Sequence, residues 1–65
     1  MKKQDALAVI DLADTCKMFD EKENWKAAGV CYNNIANFQY KNEAYFDAEA
    51  NFGFALEMGE RCVEA

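Results

Sequence analysis

Apolar residues recur along this chain every three or four positions, which is the spacing of one face of an α-helix. Ala6, Ile10 and Ala13 form such a stripe near the start. A second stripe lies beside it and has the same kind of spacing: Val9, Leu12, Cys16 and Phe19. The two stripes predict a first helix over residues 4–19 with apolar residues on two faces, and such a helix is expected to pack from two sides.

Two further helices are predicted after a charged connection over residues 20–23. Asn24 is suited to cap helix 2, predicted over residues 25–41, by accepting a bond from a free backbone N–H. Asn42 can adopt the left-handed conformation that ends a helix. Helix 3 is predicted over residues 44–63, and its apolar stripe is expected to face helix 2: Tyr45, Ala48, Phe52, Ala55, Leu56 and Gly59.

The short connections predict that consecutive helices pack antiparallel. The 65-residue chain is long enough for one small domain. The expected fold is therefore all-α, with three antiparallel helices in a single domain over residues 1–65.

Helices 1 and 3 share a signature of small and large residues. The set Ala6, Ile10 and Ala13 returns in helix 3 as Ala48, Phe52 and Ala55. The offset is 42 residues in each of the three pairs (48 − 6 for the first). A constant offset of this size is typical of helical repeat arrays.

A longer motif runs through helices 2 and 3. Tyr32-x2-Ile35-Ala36-x2-Gln39 is followed by Ala48-x3-Phe52. These segments resemble the tetratricopeptide repeat, whose pattern is W-x2-L-G-x2-Y, then A-x3-F, then P. In this chain Ala36 replaces the glycine of the pattern and Gln39 replaces its tyrosine.

The resemblance implies an α-solenoid fragment of about one and a half repeats. Helices 2 and 3 would form one helical hairpin, and helix 1 would be the second helix of a preceding repeat. The spacing of 42 residues exceeds the usual period of about 34 residues. It resembles the longer variants of the repeat that occur in adaptor proteins.

Helix 2 also carries a mostly polar stripe opposite its apolar face. Its four members fall within about 60° of one another at 100° per residue: Val30, Asn34, Asn37 and Lys41. The first helix of each tetratricopeptide repeat lines a concave groove, so the resemblance implies that this stripe binds an extended peptide. Asparagine side chains suit a peptide backbone because they both donate and accept hydrogen bonds. The alternative is an ordinary solvated helix face.

A second candidate surface lies on helix 3. The offset of 42 residues pairs Leu12 with Phe54 and Cys16 with Met58. Together with Ala50, Phe54 and Met58 form a face that helix 2 is not expected to cover. This face is predicted to be accessible in the isolated chain and to stack on a further repeat or on a second copy of the chain.

Charge and composition narrow the function classes. Twelve acidic residues against seven basic ones give a net charge of -5, which disfavours nucleic acids and anionic membranes as partners. The chain has neither histidine nor serine, so it offers no Ser-His or Cys-His pair for nucleophilic catalysis. No CxxC or Cys/His cluster predicts a metal site. The sequence therefore predicts a protein that is not an enzyme and needs no cofactor.

The three cysteines lie far apart in sequence. Their odd number predicts three reduced, partly buried thiols, which is the usual state in the cytoplasm. The function expected from these observations is a cytoplasmic protein-protein interaction module that binds a peptide or docks within a larger scaffold. The alternative is a small structural protein that associates with itself.

Overall fold

The chain contains no proline and only three glycines, so little interrupts its helices. A computed structural model describes residues 3–64, with the side chains of residues 6–64. It has three helices: α1 (Lys3–Glu21), α2 (Trp25–Lys41) and α3 (Tyr45–Glu64). The predicted all-α fold is confirmed, and the predicted helix bounds agree to within two residues. The terminal residues of the predicted 1–65 domain lie outside the described range.

Both connections end the preceding helix in the same way. Glu23 (φ 58°) and Glu43 (φ 64°) adopt the left-handed conformation. In the second turn the N–H of Glu43 donates to the Tyr40 carbonyl and the N–H of Ala44 donates to the Gln39 carbonyl, the pattern of a Schellman motif. The prediction that Asn42 is the left-handed residue is wrong, since its φ is −95°. The predicted cap at Asn24 is confirmed by its side-chain contact with the Ala27 N–H at 3.4 Å.

The second stripe of α1 packs against α2 through Val9, Cys16 and Phe19, whereas its fourth member, Leu12, is 36% exposed. Cys16 is fully buried beside Cys31 and Ile35 of α2, and Val9 and Phe19 pack against these three residues. The first stripe of α1 is on the outside, where 56% of Ile10 is exposed. Within this chain α1 is therefore packed from one side and not from two.

Cys16 and Cys31 form a disulfide, with their Cα atoms 5.4 Å apart. The prediction that all three cysteines are reduced is wrong for this pair. The antiparallel packing of α1 on α2 brings the two Cα atoms within the range of about 4.4–6.8 Å that a disulfide requires. Cys62 is free and exposed. The covalent bond fastens α1 to the rest of the protein.

Helices α2 and α3 approach closely because small residues face each other. Ala28 and Ala36 of α2 and Ala48 of α3 are all buried. A Cβ atom added to Gly29 would lie 3.4 Å from the Cβ of Met58, so the backbones are about as near as side chains allow.

The face that α3 turns to α2 differs from the predicted stripe. It consists of Ala48, Asn51, Ala55 and Met58, which are buried or half-buried. Phe52 and Leu56, predicted to face α2, are exposed at the edge of the contact. Ala48 and Ala55, together with Gly29 opposite Met58, let the two backbones approach closely, and Phe52 and Leu56 lie outside this contact.

Candidate protein-binding groove

An open groove of about 540 Å³ runs between α2 and α3 on the side away from α1. Its walls are mostly apolar side chains. From α2 the apolar ones are Trp25 and Val30, and from α3 they are Phe52, Leu56 and Val63. Lys26 and Asn33 of α2 also line the groove. Their exposed fractions include 58% for Val30, 69% for Leu56 and 87% for Val63. The groove is therefore an apolar surface that the chain itself leaves open, and we call it the α2–α3 groove.

The sequence builds this groove from small and large residues in alternation. Gly29, Ala55 and Gly59 lie along its lining between larger side chains. No heavy atom lies within 4 Å of the position of a Cβ on Gly59, so this part of the lining is open. On α3 the residues Phe52, Leu56, Gly59 and Val63 are separated by four, three and four positions. That spacing keeps one side of the helix facing the groove along three turns.

Acidic residues border the outer side of the groove. Glu60 and Glu64 line a shallow recess together with Leu56 and Val63, and Glu49 lies beside Phe52. We call Glu49, Glu60 and Glu64 the acidic rim. In the part of the chain that the structure describes, the ion pairs are those of Arg61, so the acidic rim is not neutralised there.

Trp25 is held at one end of the groove by a basic side chain. The guanidinium of Arg61 lies 5.0 Å from the centre of the Trp25 ring, which is a cation–π distance. The same guanidinium is 2.9 Å from a Glu57 carboxylate oxygen and 3.9 Å from one of Asp20. These contacts connect all three helices beside the indole, which lines the groove.

The predicted polar stripe of α2 is exposed, but its members line different surfaces. Val30 borders the α2–α3 groove and also a second groove of about 490 Å³ between α1 and α2. Asn34 lines only that second groove. Asn37 and Lys41 are exposed farther along α2 and border neither groove. The stripe is thus one continuous exposed helix face, and whether it binds a peptide stays a prediction.

The predicted face of α3 is divided in the structure. Ala50 is exposed, and 47% of Phe54 is exposed, as the prediction required. Phe54 nevertheless contacts α2, since its ring centre is 5.5 Å from that of Tyr32. Burial raises the pKa of Tyr32, and the nearby Asp20 carboxylate raises it further. The placement of Met58 on the open face is wrong, because only 3% of it is exposed and it packs against Gly29.

Sequence reasoning missed the groove because it assigned Phe52 and Leu56 to the core. Trp25 and Val63 were not named as site residues. One signal was present: α3 has more large apolar positions than a single stripe can hold, since Phe52, Leu56 and Val63 occur in addition to Met58. A helix with two apolar stripes buries only one of them against a single partner helix.

None of the helices within residues 3–64 combines the length and the apolar character needed to cross a membrane. Within the same residues, no three histidine, cysteine or acidic side chains are grouped so that they could hold a metal ion. No protein-family model matches the chain, and neither the search of curated proteins nor the search of solved structures finds a match.

Proposed function

We propose that this protein is a non-catalytic protein-protein interaction module of the tetratricopeptide type, and that the α2–α3 groove is its main binding surface. The observation that carries the proposal is the row of exposed apolar side chains at Val30, Leu56 and Val63. Contiguous apolar surface of this kind, bordered by polar residues, marks interaction sites.

The exposed side chains contribute favourable free energy when a partner covers them. Fully burying a valine or leucine side chain stabilises a complex by about 1.5–3 kcal/mol. Association itself costs about 4–15 kcal/mol in lost translational and rotational freedom. Val30, Leu56 and Val63 contribute in proportion to their exposed fractions of 58%, 69% and 87%, and Phe52 and the Trp25 ring add smaller amounts because they are already partly buried.

The polar stripe of α2 supplies a second, adjoining surface. Asn34 and Asn37 present amide groups that donate and accept hydrogen bonds, and Lys41 adds a positive charge. In the described part of the chain, none of these three side chains hydrogen-bonds to the protein. Because Val30 belongs both to the stripe and to the groove, a peptide that fills the groove can extend onto the stripe.

A peptide-display selection tests this proposal. The wild-type protein should enrich a set of peptides that the Leu56→Asp variant does not bind. Leu7→Asp is the matched control, because Leu7 is also an exposed leucine within a helix (54% exposed) but lies on α1, away from the groove. Equal enrichment by wild type and Leu56→Asp would contradict a binding role for the groove.

Self-association is the alternative function, and a specific observation supports it. The outer face of α1 is also open, with Leu7 and Ile10 more than half exposed. Two open apolar faces on opposite sides of one chain permit head-to-tail assembly. Sedimentation over a range of concentrations separates the alternatives, because a self-associating protein gains mass with concentration and a module for other proteins remains monomeric.

Cytoplasmic location stays a prediction, and the disulfide counts against it. Disulfides persist mainly in oxidising compartments and are rare in the cytoplasm. The number of alkylated cysteines in protein isolated in the presence of an alkylating agent tests the location. A reduced cytoplasmic protein has three reactive thiols, whereas the structure leaves only Cys62 free.

A further inference from the structure

We infer that the partner of the α2–α3 groove is a basic amphipathic helix of another protein, rather than an extended peptide or a second copy of this chain. This inference rests on the proposed binding function and adds the conformation and charge of the partner. It depends on the shape of the groove, the charges along its border and the charges on the other faces of this protein.

The shape fits a helix. Phe52 and Val63 mark the two ends of the α3 wall, and at 1.5 Å per residue they are about 16 Å apart. A third helix laid between α2 and α3 places side chains at i, i+3/i+4 and i+7 between the walls. The small residues Gly29 and Gly59 leave room for those side chains, because their positions carry no side chain of their own.

Lys26 lines the α2 wall of the groove, so the border selects for positive charge only on the α3 side of such a helix. Glu60 and Glu64 stand beside Leu56 and Val63, and Glu49 stands beside Phe52 at the other end. Lysine or arginine residues flanking the apolar stripe of the partner would lie against this acidic rim. Complementary charge of this kind speeds association and rejects partners of the wrong sign.

The charges also disfavour a second copy as the occupant. The open face of α1 carries Asp11 and Asp14 alongside Leu7 and Ile10, and the exposed Lys17 lies one turn beyond Asp14. Docking that face into the groove of another copy would bring these aspartates toward the acidic rim. The alternative, groove against groove, would bring two acidic rims together, and the net charge of -5 per chain adds further repulsion.

Trp25 provides a direct test. It is the only tryptophan in the chain and it lines the groove, so a helix that enters the groove changes its fluorescence. The probes are peptides of about 15 residues without tryptophan, long enough to form a helix. One has a leucine stripe flanked by lysines, a second has the same stripe flanked by glutamates, and a third is the lysine peptide with a central proline.

The lysine peptide is expected to change Trp25 emission at concentrations roughly tenfold lower than the glutamate peptide, and added salt should reduce the difference. The proline peptide should bind weakly because proline breaks the helix. Leu56→Asp should abolish the response to the lysine peptide. Equal binding by the lysine and proline peptides would overturn the inference in favour of an extended ligand.

Matched charge variants separate a local effect from general attraction between a negative protein and a positive peptide. Glu60→Lys with Glu64→Lys changes the acidic rim, and Asp11→Lys with Asp14→Lys makes the same change in net charge on α1. The rim variant is expected to lose affinity for the lysine peptide and gain it for the glutamate peptide. If both double variants lose affinity equally, the acidic rim does not select the partner and the inference fails.

The outcomes also distinguish this inference from the proposed function. If the display selection yields groove-dependent peptides that are neither basic nor helical, the module function stands and the inference about its partner is wrong. If no peptide binds through the groove in either experiment, the proposed function fails as well. Concentration-dependent dimerisation that Leu56→Asp abolishes would show that a second copy occupies the groove.

Discussion

Replacing Glu43 with glycine is expected to stabilise the fold, although the change removes a whole side chain. Glu43 ends α2 with φ at 64°, where the Cβ atom of an L-residue is too close to the following carbonyl oxygen. Glycine has no Cβ and adopts this conformation freely. Glu43 is also exposed, so the substitution loses little packing.

The size of the effect follows from two opposing terms. The left-handed conformation costs a non-glycine residue about 1–2 kcal/mol. The glycine variant loses about 0.5–1 kcal/mol of that stabilisation, because glycine makes the unfolded chain more flexible. The midpoints of the two ranges differ by about 0.75 kcal/mol, which for a domain of this size raises the melting temperature by about 3–6 °C.

The assay is thermal unfolding followed by circular dichroism at constant redox conditions. Glu43→Ala is the first control, because it removes the same charge near the C-terminus of α2 but keeps the Cβ atom. The difference in melting temperature between the glycine and alanine variants therefore measures the cost of the left-handed backbone conformation. Glu60→Gly is the second control, since Glu60 is exposed within α3 and glycine there should destabilise the helix by about 1 kcal/mol. A melting temperature for Glu43→Gly at or below that of Glu43→Ala would refute the left-handed turn.

Three further changes test the packing. Ala48→Leu should destabilise the fold by about 1–3 kcal/mol in chemical denaturation, because Ala48 is 1% exposed between α2 and α3; an unchanged unfolding midpoint would contradict this placement. Asn51→Ala should cost about 1–3 kcal/mol because it leaves the buried Gln39 amide without its 2.7 Å partner, and adding Gln39→Leu should recover part of the loss. Cys16→Ala with Cys31→Ala should lower the unfolding free energy by about 3 kcal/mol for a loop of this length. A thiol reductant should cause the same loss in the wild type and no loss in the variant.

Much of the fold could be predicted from the sequence because helix formation depends on neighbours in the chain. The periodic apolar residues and the absence of proline indicated three helices with nearly correct bounds. Asn24 was identified as a cap because capping needs only a side-chain oxygen close to the first free N–H groups. The two apolar stripes of α1 were also found from the sequence, and the one that contains Cys16 lies against α2.

Only the tertiary structure decided how α3 is rotated against α2. Sequence periodicity shows that Phe52 and Met58 belong to apolar stripes, but it does not show which stripe is buried. Close approach of the two backbones at Gly29 favours alanines and Met58 at the contact and leaves Phe52 and Leu56 outside, where they form the groove.

The two remaining differences have the same kind of cause. Which residue takes the left-handed conformation after α2, Asn42 or Glu43, depends on where the last helical hydrogen bonds end. Whether Cys16 meets Cys31 depends on how far one helix slides along the other. Local sequence limits each choice to a few positions, and the contact between helices selects one of them because the side chains of both helices must pack together there.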